Sequence, residues 1–266
     1  MKQMKQYEYV DLGLPSGLKW AKCNVGAETE TDYGDYFMWG SVTPNTADEC
    51  TWANAPFNGG NTSYNETYFN SVKDTVCTNG ILGKKYDVAA QIMGGDWRMP
   101  TTDEFQELYN ETLWVWCPGG NVGIKRTDES GNENIEYIKY PTGYFVFKTE
   151  SDKKQMGTFT KDENNNLIGY RATSETVYYP GAHKITEGDV TSIADGDTHI
   201  FFPASGLANG TAVYDRGSLG GYWSSSLRPS DSYGGLYLYF GSGDIHPQYR
   251  NGRCLGFCVR SVLRNN

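Results

Sequence analysis

Histidine is scarce in this chain. His183, His199 and His246 are scattered through 266 residues, so no spacing suggests a convergent metal site, which needs several ligands together. The six cysteines, Cys23, Cys50, Cys77, Cys117, Cys254 and Cys258, form no zinc-ribbon pattern. A core of this size does not need disulfides, so buried, reduced thiols are expected. Cations are outnumbered: 23 Lys and Arg face 32 Asp and Glu, giving a net charge of −9 and a pI near 4.9. That balance argues against nucleic acid or an anionic membrane as partner. No apolar run is long enough to span a bilayer, and membrane insertion is not expected. The opening MKQMKQYEYVDLG has no apolar stretch of the kind a secretory signal carries. No cofactor is expected.

What is present can build a core. Hydrophobic residues make up 38% and charged residues 21%, a globular rather than disordered balance. The 20 tyrosines suit strands, and they also suit binding loops, where Tyr gives stiff amphipathic contact area. Residues 7–40 read as short strands separated by Gly and Pro turns. Residues 41–85 are rich in Asn, Thr and Gly and read as a long irregular insertion, with a short helix near Tyr86–Met93. Thr101 or Thr102 is a good N-cap, with Glu104 and Glu107 in the first turns and Phe105 and Leu108 on one stripe, so 102–110 is a predicted helix. In Trp97-Arg98-Met99-Pro100 the Trp suits the core, the Arg a buried carboxylate, and the Pro a strand end. Residues 134–182 look like hairpin material, with the polar run from Ser151 to Asn166 including a solvated turn. The Ile200–Ala204 segment is a compact apolar strand suited to burial on both faces. Trp223–Ser226, Leu236–Phe240 and Cys258–Leu263 are further predicted strands. Asp162-Glu163 and Asp195-Gly196-Asp197 offer oxygen ligands of the kind calcium takes, but neither matches an EF-hand loop, and both read as solvated acidic turns. Ser224–Ser226 lacks a nucleophile elbow.

A second scarcity is local. Between Leu227 and Phe257 there is no Lys, Glu, Met or Trp, and one Gln, Gln248. All the other residue types in the window are reachable from an asparagine codon randomised at its two adenines with its third-position pyrimidine kept. Within it, Leu236, Leu238 and Phe240 alternate with Tyr237, Tyr239 and Gly241, which places the two sets on opposite faces of a strand. The apolar set is predicted to face the core and the other set to be displayed.

The segments Tyr222-Trp223-Ser224-Ser225-Ser226 and Gly256-Phe257-Cys258-Val259-Arg260-Ser261-Val262 resemble the fixed borders of the variable region in variable proteins of diversity-generating retroelements, in the form found in gut anaerobes and their phages. Tyr9–Trp20 (YVDLGLPSGLKW), Tyr33–Gly40 (YGDYFMWG), Trp97–Thr101 (WRMPT) and Phe202–Gly206 (FPASG) resemble the major paralogous domain family of those bacteria. The resemblance runs in order from Tyr9 to Val262, while 45–85 and 109–198 lie outside it. It implies an α+β, C-type lectin-like fold shared with formylglycine-generating enzymes: mostly short antiparallel strands, few helices, and one domain carrying insertions near 45–85 and 109–198. It implies a non-catalytic binding protein whose variable region, about 222–262, meets a cell-surface protein or glycan, as in a phage receptor-binding protein working on a virion or at a cell surface. The expected contact residues are Arg228, Asp231, Tyr233, Tyr237, Tyr239, Gly241, Asp244, His246, Tyr249, Arg250, Asn251 and Leu255. Two rival readings remain: a non-variable adhesion module of the same family, and a copper-dependent oxidase using Cys254 and Cys258. If that stretch is extended, those two cysteines stand about 13 Å apart on one face, too far for a direct disulfide.

Overall fold

The computed structural model describes residues 7–149, 155–178, 182–194, 197–228 and 231–264. The chain is mostly β, with three α-helices among the described residues. A small sheet ties the two ends of the chain together: Tyr9–Val10 pairs with Lys19–Ala21, and Val262–Leu263 lies between Lys19–Ala21 and Trp97–Arg98. A five-stranded sheet runs in the order Ile245–Gly252, Gly234–Phe240, Gly220–Leu227, Ile81–Leu82, Cys77–Thr78.

The third sheet is built from strands between residues 112 and 203, and its strands are not short. Thr112–Thr127 and Glu133–Lys148 form a 16-residue hairpin. It is flanked by Gln155–Lys161, Leu167–Tyr178 and Ala182–Thr191 on one side and His199–Pro203 on the other. Gln155–Lys161 runs parallel to Thr112–Thr127, so the sheet is mixed. Its turns are chemically specified. Asp128 accepts hydrogen bonds from the Ser130 and Asn132 amides, and Asp162 repeats the device with Asn164 and Asn166, as Asx turns do. This gives the Asp162-Glu163 run a turn role, inside the polar stretch that was expected to include a solvated turn. Gln155–Lys161 is nonetheless strand, and 151–154 lie outside the described residues, as do Asp195 and Gly196.

The large sheet shares its core with the rest of the chain. Trp114, Tyr144 and Phe202 from the large sheet pack in one cluster with Trp20, Phe105, Tyr222 and Phe240. Trp114 stacks on Phe202 at 5.8 Å, and Phe202 meets Tyr222 edge-on at 5.0 Å. The opposite face of the hairpin, with Val115, Phe145 and Phe201, builds a separate cluster, so these strands are apolar on both faces for a reason.

The segments before and after the large sheet interlock. The Trp39 indole donates to the Ser224 carbonyl at 3.0 Å, and the Trp223 indole donates to the Phe37 carbonyl at 2.8 Å. Tyr36 OH donates to Ser205 O, and Tyr222 OH to Pro203 O. The Ser225 amide donates to Pro100 O, and the Thr102 amide to Ser226 Oγ. Gly206 has φ +69°, and an added Cβ there would sit 2.1 Å from Tyr214 O, so only glycine fits.

The helix over 102–110 is present as Thr102–Glu111, with a capping box between Thr101 and Glu104. Arg98 pairs with Glu104 through two bonds of 2.5 and 2.7 Å, the carboxylate partner its position invited. The helix near 86–93 is a 3₁₀ turn, Lys84–Tyr86, followed by Val88–Ile92. Two expectations need correction. The 41–85 insertion is not wholly irregular: Glu66–Val76 is helical, capped by Asn65, with Phe69 and Val76 buried. The 258–263 stretch is strand only at Val262–Leu263; before that, Cys258 makes a single parallel bridge to Tyr222.

Candidate functional site: the aromatic face of the C-terminal hairpin

Gly234–Phe240 and Ile245–Gly252 form an antiparallel hairpin whose second strand is the free edge of the five-stranded sheet. Tyr237 lies opposite Tyr249, and Tyr239 opposite His246. These pairs are out of step by one residue, so the edge strand carries a bulge around Pro247, a place where a strand tolerates proline. The bulge has a consequence for the surface. Residues 246 and 249 are three apart and would point to opposite faces of a regular strand. The extra residue brings both beside Tyr239. The three rings lie 5.2–5.7 Å apart at tilts of 38–43°. Tyr249 is 48% exposed, His246 is exposed and Tyr239 half-exposed.

Beneath this triad the strand faces inward. Leu238 and Phe240 are fully buried, as their alternation predicts, while Leu236 is half-buried. Tyr237 departs from the display expectation. It is 2% exposed, stacked on Phe257 at 4.5 Å and 14° and edge-on to Trp223. Burial pushes its phenol well above the ordinary tyrosine range, against the opposing pull of Asn251. The physical reason is that this part of the sheet is covered on both faces, by Leu238's cluster on one and by Trp39, Phe69 and Phe257 on the other. Tyr237 therefore supports the triad from below.

The rim is charged. Asp231 accepts from the Tyr233 amide at 2.8 Å, from Arg250 at 2.9 Å and from Arg228 at 3.4 Å. One carboxylate thus holds two guanidinium groups and the loop between the strands. At the hairpin tip, Gly241 bonds Asp244 through the backbone, and Asp244 stands 3.3 Å from His246 Nε2. Gln248, the single glutamine of the window, is bonded to Asp103 on the helix behind it.

Tyr233 belongs to a second aromatic group whose other members the sequence reading missed. It lies 5.1 Å from Trp52 and 5.4 Å from Tyr64, which are 5.2 Å from each other. Trp52 and Tyr64 come from the 41–85 segment. Asn58, fully buried, fixes that loop: its amide donates to the carbonyls of Trp52, Asn61 and Ser63, and its oxygen accepts from the Asn65 amide. Tyr64 OH also meets Ser232 Oγ at 2.5 Å. A hint was present in the aromatic residues set among Asn, Thr and Gly at 52–64, but nothing in one sequence says which strand such a loop will cover. A cleft of ≈ 470 Å³ opens at this seam, with Trp52 and Thr62 from the 41–85 segment, Asn209, and Tyr233, Asn251 and Leu255 from the window.

Arg253 was also missed. It is fully buried beneath this second group, its guanidinium 3.8 Å from the Phe69 ring centre and within 6 Å of Trp39, Trp52 and Tyr64. It donates to Ser232 O and Pro56 O. Desolvation lowers its pKa to about 10, so it is charged at neutral pH.

Cys254 sits in the turn after the edge strand, so an extended spacing to Cys258 does not apply. Both thiols are free and buried, and burial pushes them up to about 11 and about 12. A thiolate, the nucleophilic and metal-binding form, is disfavoured at each. Among the described residues no three His, Cys, Asp or Glu side chains are grouped to hold a metal, and no helix is long and apolar enough to cross a membrane.

Compared with known family models, curated proteins and solved structures, the chain shows no match.

Proposed function

We propose that this is a non-catalytic, hypervariable ligand-binding protein of C-type lectin-like fold, diversified by a retroelement, and that its face recognises a cell-surface protein or glycan, as a phage receptor-binding protein does. The observation that carries the reading is the division within the compositionally biased window. Tyr239, His246 and Tyr249 gather on one outward surface, and Arg228, Asp231 and Arg250 are joined in a charged cluster toward the Gly234 end of the same hairpin, while Leu238, Phe240, Arg253 and Phe257 are buried within. Such a surface can change at little cost to folding. Tyr and Arg are the usual anchors of binding interfaces, and a hairpin held by interlocked tryptophans needs no rearrangement to bind. The lectin-like label concerns architecture and does not by itself imply sugar binding.

The DNA flanking the gene tests this. The expected result is a near-copy of codons 222–262 beside a reverse transcriptase gene, differing only where the copy has adenine, with differences at 239, 246, 249 and 250 and identity at 238, 240, 253 and 257. Absence of a template would leave a fixed adhesion module as the better account. The oxidase alternative is disfavoured by the raised, buried thiols of Cys254 and Cys258.

A further inference from the structure

The cleft at the seam is chemically unlike the rest of the face. The triad and rim offer an imidazole and charged side chains, whereas no charged side chain lines the cleft among the described residues. Its two cysteines are neutral, with burial raising Cys50 to about 12 and Cys254 to about 11. Arg253 stays behind Trp52, fully buried, and is not part of the lining. Two aromatic rings, Trp52 and Tyr233, are joined there by Thr51, Thr62 and Asn209. Among the described residues none of these three polar side chains makes a hydrogen bond, and Thr62 and Asn209 are exposed. The cleft therefore holds uncommitted neutral donors and acceptors next to ring surface, in a volume of ≈ 470 Å³, within the usual range for small-molecule sites.

We propose that this cleft binds a neutral sugar residue. A hexopyranose presents two kinds of surface, C–H groups that pack on the electron-rich face of an aromatic ring and hydroxyls that both donate and accept. Hydroxyl and amide side chains match the second property, because each also both donates and accepts. An anionic ligand would find no cation in the lining. A cation would find no carboxylate, and the 5.1–5.4 Å spacing of Trp52, Tyr64 and Tyr233 means the rings fill the space between them instead of forming an open cage. The two walls have different origins. Thr51, Trp52, Thr62 and Asn209 lie outside the window, while Tyr233, Asn251 and Leu255 lie within it. The inference rests on the diversified-binder reading only for the second wall: the first supplies a constant sugar-binding base, and the second changes which sugar or linkage is accepted.

The test uses the full chain and methyl glycosides of glucose, galactose, mannose and N-acetylglucosamine, read by saturation-transfer NMR with tryptophan fluorescence as the titration signal. At least one glycoside is expected to bind through its ring C–H protons. Thr62→Ala and Asn209→Ala should each weaken it about fivefold, the effect of one neutral hydrogen bond, with circular dichroism unchanged. Glu163→Gln, in an exposed turn of the large sheet away from the cleft, should leave it unaffected. The proposal is overturned if no glycoside in the panel binds, or if binding survives both cleft substitutions. The two readings fail separately. A silent sugar panel beside an intact DNA template removes the sugar site alone. A missing template beside sugar binding that needs Thr62 and Asn209 removes diversification alone.

Discussion

Two tyrosines, two positions apart on one strand, have opposite fates. Tyr239 is half-exposed in the triad, and Tyr237 is packed on Phe257. Truncating the first should change little in stability: Tyr239→Ala and Tyr249→Ala are each expected within about 0.5 kcal/mol of the parent in urea unfolding. Tyr237→Ala should cost about 3–5 kcal/mol, the range for deleting a buried aromatic ring. Equal costs at 237 and 239 would mean that the display and its support are not separate. Arg253 makes a sharper case. Arg253→Met keeps an apolar side chain among the rings but strips the donors from Ser232 O and Pro56 O. Each of these part-buried carbonyls left unpaired costs up to about 1–3 kcal/mol, so a loss of about 1 kcal/mol or more is expected. The Trp52 fluorescence of the folded protein should shift as the 51–65 loop loosens. Retained stability with unchanged fluorescence would show that the guanidinium contributes nothing net there. The alternation rule gave Leu238 and Phe240 correctly, because a period of two is a property of the chain alone. It failed at Tyr237, because a second covering layer comes from residues far away in sequence.

At the scale of elements, the helix Thr102–Glu111 shows why some structure was legible. Its cap, its acidic first turn and its apolar stripe are local, and they agree. Glu104 also closes the capping box and pairs with Arg98. Burial alone would raise its carboxyl, but the hydrogen bond and charge of Arg98 prevail and hold it below the usual carboxylate range. Glu104→Gln should therefore cost about 1.5–3 kcal/mol at neutral pH, as for hydrogen bonds to charged groups. The sign of the pH dependence follows. The folded pKa is the lower one, so the stabilisation is fully present above the unfolded value of about 4.3 and disappears as pH falls through the folded value. Unfolding curves of parent and variant should converge in that acid range, and a constant gap down to low pH would contradict the pairing. The bulge at Pro247 was not legible. A bulge is a mismatch between two strands, and one sequence does not reveal the register of its partner. The triad of Tyr239, His246 and Tyr249 depends on that mismatch, which is why its members could be named in advance but their convergence could not.

Across the whole molecule, the same burial that rigidifies the face makes the thiols inert. Cys50, Cys77, Cys117, Cys254 and Cys258 are buried, and Cys23 alone is partly exposed. Desolvation raises Cys77 and Cys117 to about 11, as it raises Cys254, and Cys50 and Cys258 to about 12. At neutral pH a negligible fraction of any of these five is thiolate, and thiolate is the reacting form. Desolvation also raises Cys23, so its labelling should be slow but detectable. A thiol reagent added to native protein is expected to modify about one site per chain over the time in which denatured protein reacts at all six. Reductant should leave the melting temperature unchanged, because no disulfide restrains the unfolded chain. Mass spectrometry of the labelled peptide locates the site. Rapid native labelling at Cys254 or Cys258 would mean that the C-terminal turn opens or that its thiols are activated. It would revive a redox role for the pair and weaken the case for a rigid, non-catalytic binding face. Labelling confined to Cys23 would leave the C-terminal segment as a closed support whose chemistry is spent on packing, with recognition left to the side chains it holds outward.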